Sequence, residues 1–172
     1  MYPGYDMAVA DARAMRELRL EIEEFHADYC WTLDCGDVES WPDYFTDDAV
    51  YRVTARENAD AGLPVGLVYA DSKAMIRDRA FALKHTQMYA PRSLQHFVTN
   101  VRVLEAKGGA DGTVKAQANY LLLQTLVDGP TTIQQSGRYY DSFVRVAGKL
   151  LLKERQCVYD TVLIANDLVL PV

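Results

Sequence analysis

The chain has 172 residues, 49% of them hydrophobic and 24% charged, with a formal net charge of −6. That length suits one domain with a single sizeable core, and the acidic total lacks the basic footprint of non-specific nucleic-acid binding. With 10 Gly, 6 Pro and no low-complexity tract the chain is neither disordered nor collagen-like, and apolar runs such as Leu121–Leu123 are far too short to span a bilayer.

Residues 1–11 read as a flexible arm ahead of a single domain that takes in the whole of 1–172. Met1 to Asp6 shows no basic stretch leading into an apolar one, so no secretory signal is visible and a cytoplasmic setting is expected. The first long element is a helix over about 12–35. Leu18, Ile22, Phe25, Tyr29 and Leu33 form one apolar stripe, and Glu17, Glu21, Glu24 and Asp28 fall on another face. Gly36 stops the helix. Residues 37–45 read as a short helix that Ser40 could cap, with Pro42 in its first turn. Thr46, Asp47 and Asp48 read as a turn.

Ala49 to Thr54 is β-branched and aromatic, hence a strand. Residues 55–64 read as a loop and Val65 to Ala70 as a short strand. Asp71 and Ser72 cap a helix of about 72–85, with Met75, Ile76, the aliphatic stem of Arg79, Ala80 and Leu83 facing inward. Four long strand-like runs follow, at 94–106, 113–128, 131–147 and 149–160. They are separated by Gly108–Gly112, by Asp128–Pro130 and by Ala147–Gly148. Connections this short force antiparallel pairing. The order gives an α+β fold, a strongly curved antiparallel sheet wrapped around the N-terminal helices as a cone. Bulges are expected near Gly137.

Charge is uneven along the chain. Residues 1–48 hold 13 acids and 3 bases, while 49–172 hold 11 acids and 15 bases. Either the halves cover each other with matched charge, or an acidic helical face meets a basic sheet on a neighbouring subunit. Three cysteines, Cys30, Cys35 and Cys157, make no disulfide framework and fit a reduced compartment.

Candidate chemistry is sparse. His26 and Cys30 are four apart on one helix, but two ligands are not a metal site, and a packed Cys beside a half-exposed His is expected. Asp34, Tyr51, His96, Tyr120 and Tyr139 are candidates to line the cone, and a carboxylate beside a histidine would suit proton transfer. No phosphate-binding glycine loop, HExxH, GxSxG or Rieske-type Cys/His set is present, so no catalytic, cofactor-binding or metal residue is assigned. With three His in the chain, no resident redox metal is expected. Trp31, Trp41, the tyrosines and the tail Leu168–Val172 are candidate interface material.

The segments Glu39–Tyr51, His96–Val103, Gly137–Asp141, and Glu154 and Arg155 followed by Asp160, in this order and spacing, resemble the small (beta) subunits of bacterial aromatic-ring-hydroxylating dioxygenases over about residues 12–172. Tyr51–Thr54, Asp71, Ser72 and the Met75–Arg79 helix look most like the aromatic-acid branch, such as terephthalate. The first segment alone is shared with a wider superfamily of nuclear-transport-factor-two-like (cystatin-like) cones. The resemblance implies a non-catalytic assembly subunit that trimerises and holds large (alpha) subunits in an α3β3 hetero-hexamer for cis-dihydroxylation. It also implies that the Rieske iron–sulfur cluster and mononuclear iron sit in the large subunit, with NAD(P)H electrons arriving through a reductase or ferredoxin. Two other readings stay open: a stand-alone cone-fold dehydratase or isomerase using Asp34 and His96, and a ligand-binding cone without chemistry.

Overall fold

The computed structural model describes residues 2–5, 10–86, 88–106, 112–161, 164 and 168–172. The expected Gly108–Gly112 connection lies mostly outside the described residues.

Helix α1 spans Arg16–Asp34 and buries Ile22, His26, Tyr29, Cys30 and Leu33. Leu18 and Phe25 of the expected stripe pack beside this core without full burial. Gly36 ends the helix at φ +75°, a left-handed conformation that favours glycine. A single 3₁₀ turn, Trp41–Tyr44, follows with Pro42 in its first turn. Ser40 precedes it without a side-chain cap, and its carbonyl oxygen accepts from Asp43 N–H instead.

Strand β1 covers Phe45–Ala55. The turn expected at Thr46–Asp48 is corrected: these residues belong to β1, as an irregular stretch between the Phe45–Leu152 and Val50–Glu154 pairs. There the Thr46 hydroxyl donates to Asp48 Oδ1 at 2.9 Å, a turn-like bond inside the strand. The expected loop at 55–64 contains a short helix, α2 (Arg56–Asp60). Strand β2 is short, Val68–Ala70. Helix α3 spans Lys73–His85, with Ser72 Oγ accepting from Met75 N–H at 3.4 Å. Ile76, Ala80 and Leu83 are buried, whereas Met75 is exposed.

The four expected C-terminal strands are present: β3 (Arg92–Ala106), β4 (Val114–Leu126), β5 (Thr131–Val146) and β6 (Lys149–Tyr159). They pair antiparallel in sequence order. The sheet order is β2-β1-β6-β5-β4-β3. One expectation is corrected here: β1 lies parallel to β6, so the sheet is mixed. A chain that returns after β2 through α3 starts its meander at the far edge, and the fourth strand then runs alongside β1. Helices α1 and α3 pack on one face of this curved sheet, α1 against β3 and α3 against β1. On the opposite face Tyr2 and Tyr5 pack against Tyr140, with ring centroids 5.3 and 5.2 Å away.

Bulges bend the long strands. Gln134 is the extra residue at the register shift between the Leu122–Gln135 and Leu123–Ile133 pairs, three residues from Gly137. Gly137 itself keeps the ladder in register, and a Cβ there would collide with the Val158 carbonyl oxygen. Asn100, at φ +56°, lies in a second bulge in β3.

Candidate functional site

The centre of the concave interior is filled by the chain's own side chains. There Arg155 of β6 has no solvent exposure. Its Nε and one terminal nitrogen donate to the two carboxylate oxygens of Asp141 on β5 at 2.9 and 2.8 Å. That terminal nitrogen also lies 3.0 Å from His26 Nδ1 on α1. Tyr29 and Tyr139 cover the guanidinium from two sides, with ring centroids 4.2 and 4.3 Å from it. Planar and weakly hydrated, a guanidinium suits both the forked carboxylate contact and the stacked rings. Three elements are thereby tied to one charge: α1, β5 and β6.

The cluster fixes the state of its neighbours. Arg155 can only donate, so Nδ1 of His26 accepts and the ring proton sits on Nε2, 3.7 Å from Asp141 Oδ2. Burial, and then the positive charge of Arg155, hold His26 well below its ordinary value, so the ring is neutral. Burial raises Asp141 against the pull of Arg155. Burial likewise pushes the Cys30 thiol up to about 12. His26 is thus fully buried, a correction to the half-exposed position expected for it, because Arg155 supplies the partner that water would otherwise provide. With His26 Nδ1 engaged and Cys30 a thiol, this pair does not fit a metal ion. Among the described residues no group of three His, Cys, Asp or Glu stands close enough to hold one.

The tail closes the interior from another side. Val172 is fully buried. Its N–H donates to the Tyr51 hydroxyl at 2.9 Å, and its oxygen accepts from the Tyr29 hydroxyl at 3.0 Å. Trp41 Nε1 donates to that same Tyr29 oxygen at 2.8 Å, completing a buried chain of hydrogen bonds. Arg79 of α3 holds the tail further out through the Val169 carbonyl at 2.9 Å. Of the expected cone-lining residues, Tyr51, Tyr120 and Tyr139 therefore share the packed core. Tyr120 and Tyr139 stack at 4.5 Å, and the Tyr120 hydroxyl donates to Gln135 Oε1 at 2.9 Å. Trp41 is core, whereas Trp31 is 73% exposed.

Asp34 and His96 stand apart from that core but touch each other. Asp34 is the last residue of α1, and His96 lies on β3, the edge strand. Asp34 Oδ2 accepts the backbone N–H of His96 at 3.0 Å, and Oδ1 lies 2.6 Å from His96 Nδ1. Both carboxylate oxygens thus serve one residue. His96 Nε2 is buried and has no hydrogen-bond partner among the described residues. The pair works as a clamp that fastens the end of α1 to an edge strand. It borders an open cleft of ≈ 580 Å³ between α1 and β3, lined by His26, Cys30, Trp31, Asp34, Leu94 and His96 among others.

Sequence reasoning singled out Asp34 and His96 as a possible pair but missed the Arg155–Asp141 ion pair at the structural centre of the fold, although both residues lie in the segments singled out. Their partnership depends on strand register.

The SnoaL-like domain matches residues 14–156 of the chain. The chain is 34% identical to the anthranilate 1,2-dioxygenase small subunit of Burkholderia cepacia, over 88% of this chain and 92% of that one. It is 35% identical to subunit beta 2 of the terminal oxygenase component of terephthalate 1,2-dioxygenase from Comamonas sp., over 88% of this chain and 97% of that one. Among solved structures it superposes on a beta subunit ascribed to an aromatic-ring-hydroxylating dioxygenase of Novosphingobium aromaticivorans DSM 12444. The TM-score is 0.82 at 37% identity, covering 92% of this chain and 99% of that one.

Proposed function

The chain belongs to the SnoaL-like domain family and, within it, to the small (beta) subunits of aromatic-ring-hydroxylating dioxygenases, and from that premise we propose that its own task is assembly rather than chemistry. The enzyme system it serves is an oxidoreductase of aromatic catabolism, and its partner is a large oxygenase subunit. In this reading the small subunits trimerise and hold large subunits in equal number as an α3β3 hexamer in the cytoplasm. The Rieske cluster and mononuclear iron belong to the large subunit, which receives NAD(P)H electrons through a reductase or ferredoxin. The relatives that act on anthranilate and terephthalate favour an aromatic acid as substrate.

One observation carries the reading. Beyond the cleft that Asp34 and His96 border, the interior between α1 and the sheet is occupied by Arg155, the tyrosines around it and Val172. Filling the interior with a forked ion pair and stacked rings makes a rigid support. The Asp34–His96 pair supports the same view: the carboxylate is engaged at both oxygens, and the ring nitrogen a base would use is sealed from solvent.

The test is the assembled oxygenase carrying Asp34→Ala or His96→Ala. Turnover per assembled complex should stay within about twofold of wild type, while stability falls by about 1.5–3 kcal/mol, the range for bonds to a charged group. Abolished turnover in a folded, fully assembled complex would replace this reading with proton-transfer chemistry at Asp34 and His96.

A further inference from the structure

The start of α1 gathers like charge against an otherwise acidic background. Arg13, Arg16 and Arg19 are all of the lysines and arginines among the first 48 residues, and they follow at three-residue steps. All three line a groove of ≈ 620 Å³, where Arg102 of β3 joins them. Met15, Val101 and Val103 give the same groove an apolar lining. Among the described residues no Asp or Glu lines it. Further along α1 the neighbouring cleft is lined by Glu23 and Asp34 instead, so the positive field is confined to the first turns of the helix.

Local contacts shape the groove without neutralising it. The Ala10 N–H donates to the Val103 oxygen at 3.0 Å, which seats the entry to α1 on β3. Asp11 Oδ1 accepts from the N–H groups of Arg13 and Ala14 at 2.8 and 2.9 Å, so the acid nearest the arginines is engaged by backbone. Arg19 meets Glu23 at 3.5 Å, an exposed pair that solvent weakens. Among the described residues the guanidinium groups of Arg13, Arg16 and Arg102 make no hydrogen bond or ion pair. Four guanidinium groups around one groove repel each other and focus a positive field on it. A carboxylate placed there relieves the repulsion, and the planar fork of arginine matches it.

We infer that this groove docks an acidic segment of the large oxygenase subunit, whose Asp or Glu side chains pair with Arg13, Arg16 and Arg102 while its apolar side chains cover Met15, Val101 and Val103. The inference rests on the assembly reading above. Charge complementarity selects the occupant. Nucleic acid fits less well, because the chain as a whole carries −6. A second copy also fits less well. The exposed acids Glu24 and Asp28 share α1 with Arg16 and Arg19. Matching these two sets between copies turns the helices antiparallel about a twofold axis, which closes a pair and not a ring of three.

The test co-expresses the full chain with the large oxygenase subunit. Phenylglyoxal, an arginine reagent, should label Arg13, Arg16 and Arg102 in the free chain and spare them in the complex. Arg13→Glu with Arg16→Glu reverses two exposed charges without touching the core, and should weaken binding of the large subunit at least about tenfold. Arg13→Gln with Arg16→Gln should lose less in the same direction. Wild-type binding should weaken as salt rises, and the reversed variant should respond less. Equal labelling in chain and complex, or folded variants that bind as tightly as wild type, overturns the inference while leaving the assembly reading intact. Variants that lose self-association but keep the large subunit assign the groove to a second copy and overturn it too. Nucleic acid that copurifies with wild type and not with the variants, large-subunit binding being unchanged, does the same. A wild-type chain that captures no large subunit at all refutes both.

Discussion

Arg155 keeps its charge at zero exposure because Asp141, His26 and two tyrosine rings share it. Removing one member of such a buried pair strands the other. Arg155→Ala should therefore cost about 3–5 kcal/mol of stability in urea unfolding, whereas Arg155→Met with Asp141→Leu should recover most of it. A double variant no better than the single one would mean that the guanidinium's ring contacts, and not the ion pair, dominate. His26 supplies a pH signature. Its folded-state pKa lies well below the ordinary 6.5, through burial and then Arg155. The unfolded chain takes up a proton that the folded chain refuses, so the stability present above about pH 6.5 is lost as pH falls towards the folded value. The slope is up to about 1.4 kcal/mol per pH unit for this group. Urea midpoints at about pH 7.5, 6.5 and 5.5 should show His26→Gln with a shallower decline than wild type. Equal slopes would contradict a neutral, buried His26. In the sequence the one visible neighbour of His26 is Cys30, four residues on, because that spacing is local, and a half-exposed ring was the expectation. Its true partner is 129 residues away.

At the level of elements, the four C-terminal strands and both long helices were legible, since apolar periodicity and short glycine-containing connections are local signals. Register was not. Val146 faces Lys149 next to the last hairpin turn, and that register, continued unbroken, would set Asp141 against Glu154. One extra residue in β6, Lys153, shifts the pairing so that Asp141 faces Arg155 instead. No composition cue marks that bulge, so the central ion pair was hidden although both residues had been singled out. The parallel β1–β6 pairing was hidden for a similar reason: neighbours so far apart in sequence leave no turn signature between them. Gly137 tests the strand-level account. A Cβ there meets the Val158 carbonyl oxygen, backbone that cannot swing aside. Gly137→Ala should push β5 from β6 and cost at least about 2–3 kcal/mol, well beyond the ordinary range for a surface change. A Gly137→Ala protein as stable as wild type would show that the two strands are not so close.

For the whole molecule, the uneven charge has an internal outlet. Arg145 grips Glu21 through two bonds of 2.7 Å, Lys73 lies 3.8 Å from Asp43, and Lys153 lies 3.7 Å from Asp48. Each pair joins the acidic first part of the chain to the basic remainder, so matched halves account for part of the asymmetry. The acids of α1 left over face the open cleft and the solvent. A core closed by Arg155 and Val172 and a helix end clamped to the edge strand together describe a part that supports another protein. The most direct measurement is native mass and aromatic oxygenation of the large subunit expressed with and without this chain. The account predicts equal numbers of the two subunits in one assembly, with oxygenation that depends on this chain and survives Asp34→Ala and His96→Ala. A large subunit that assembles and oxidises its substrate fully without this chain would contradict it.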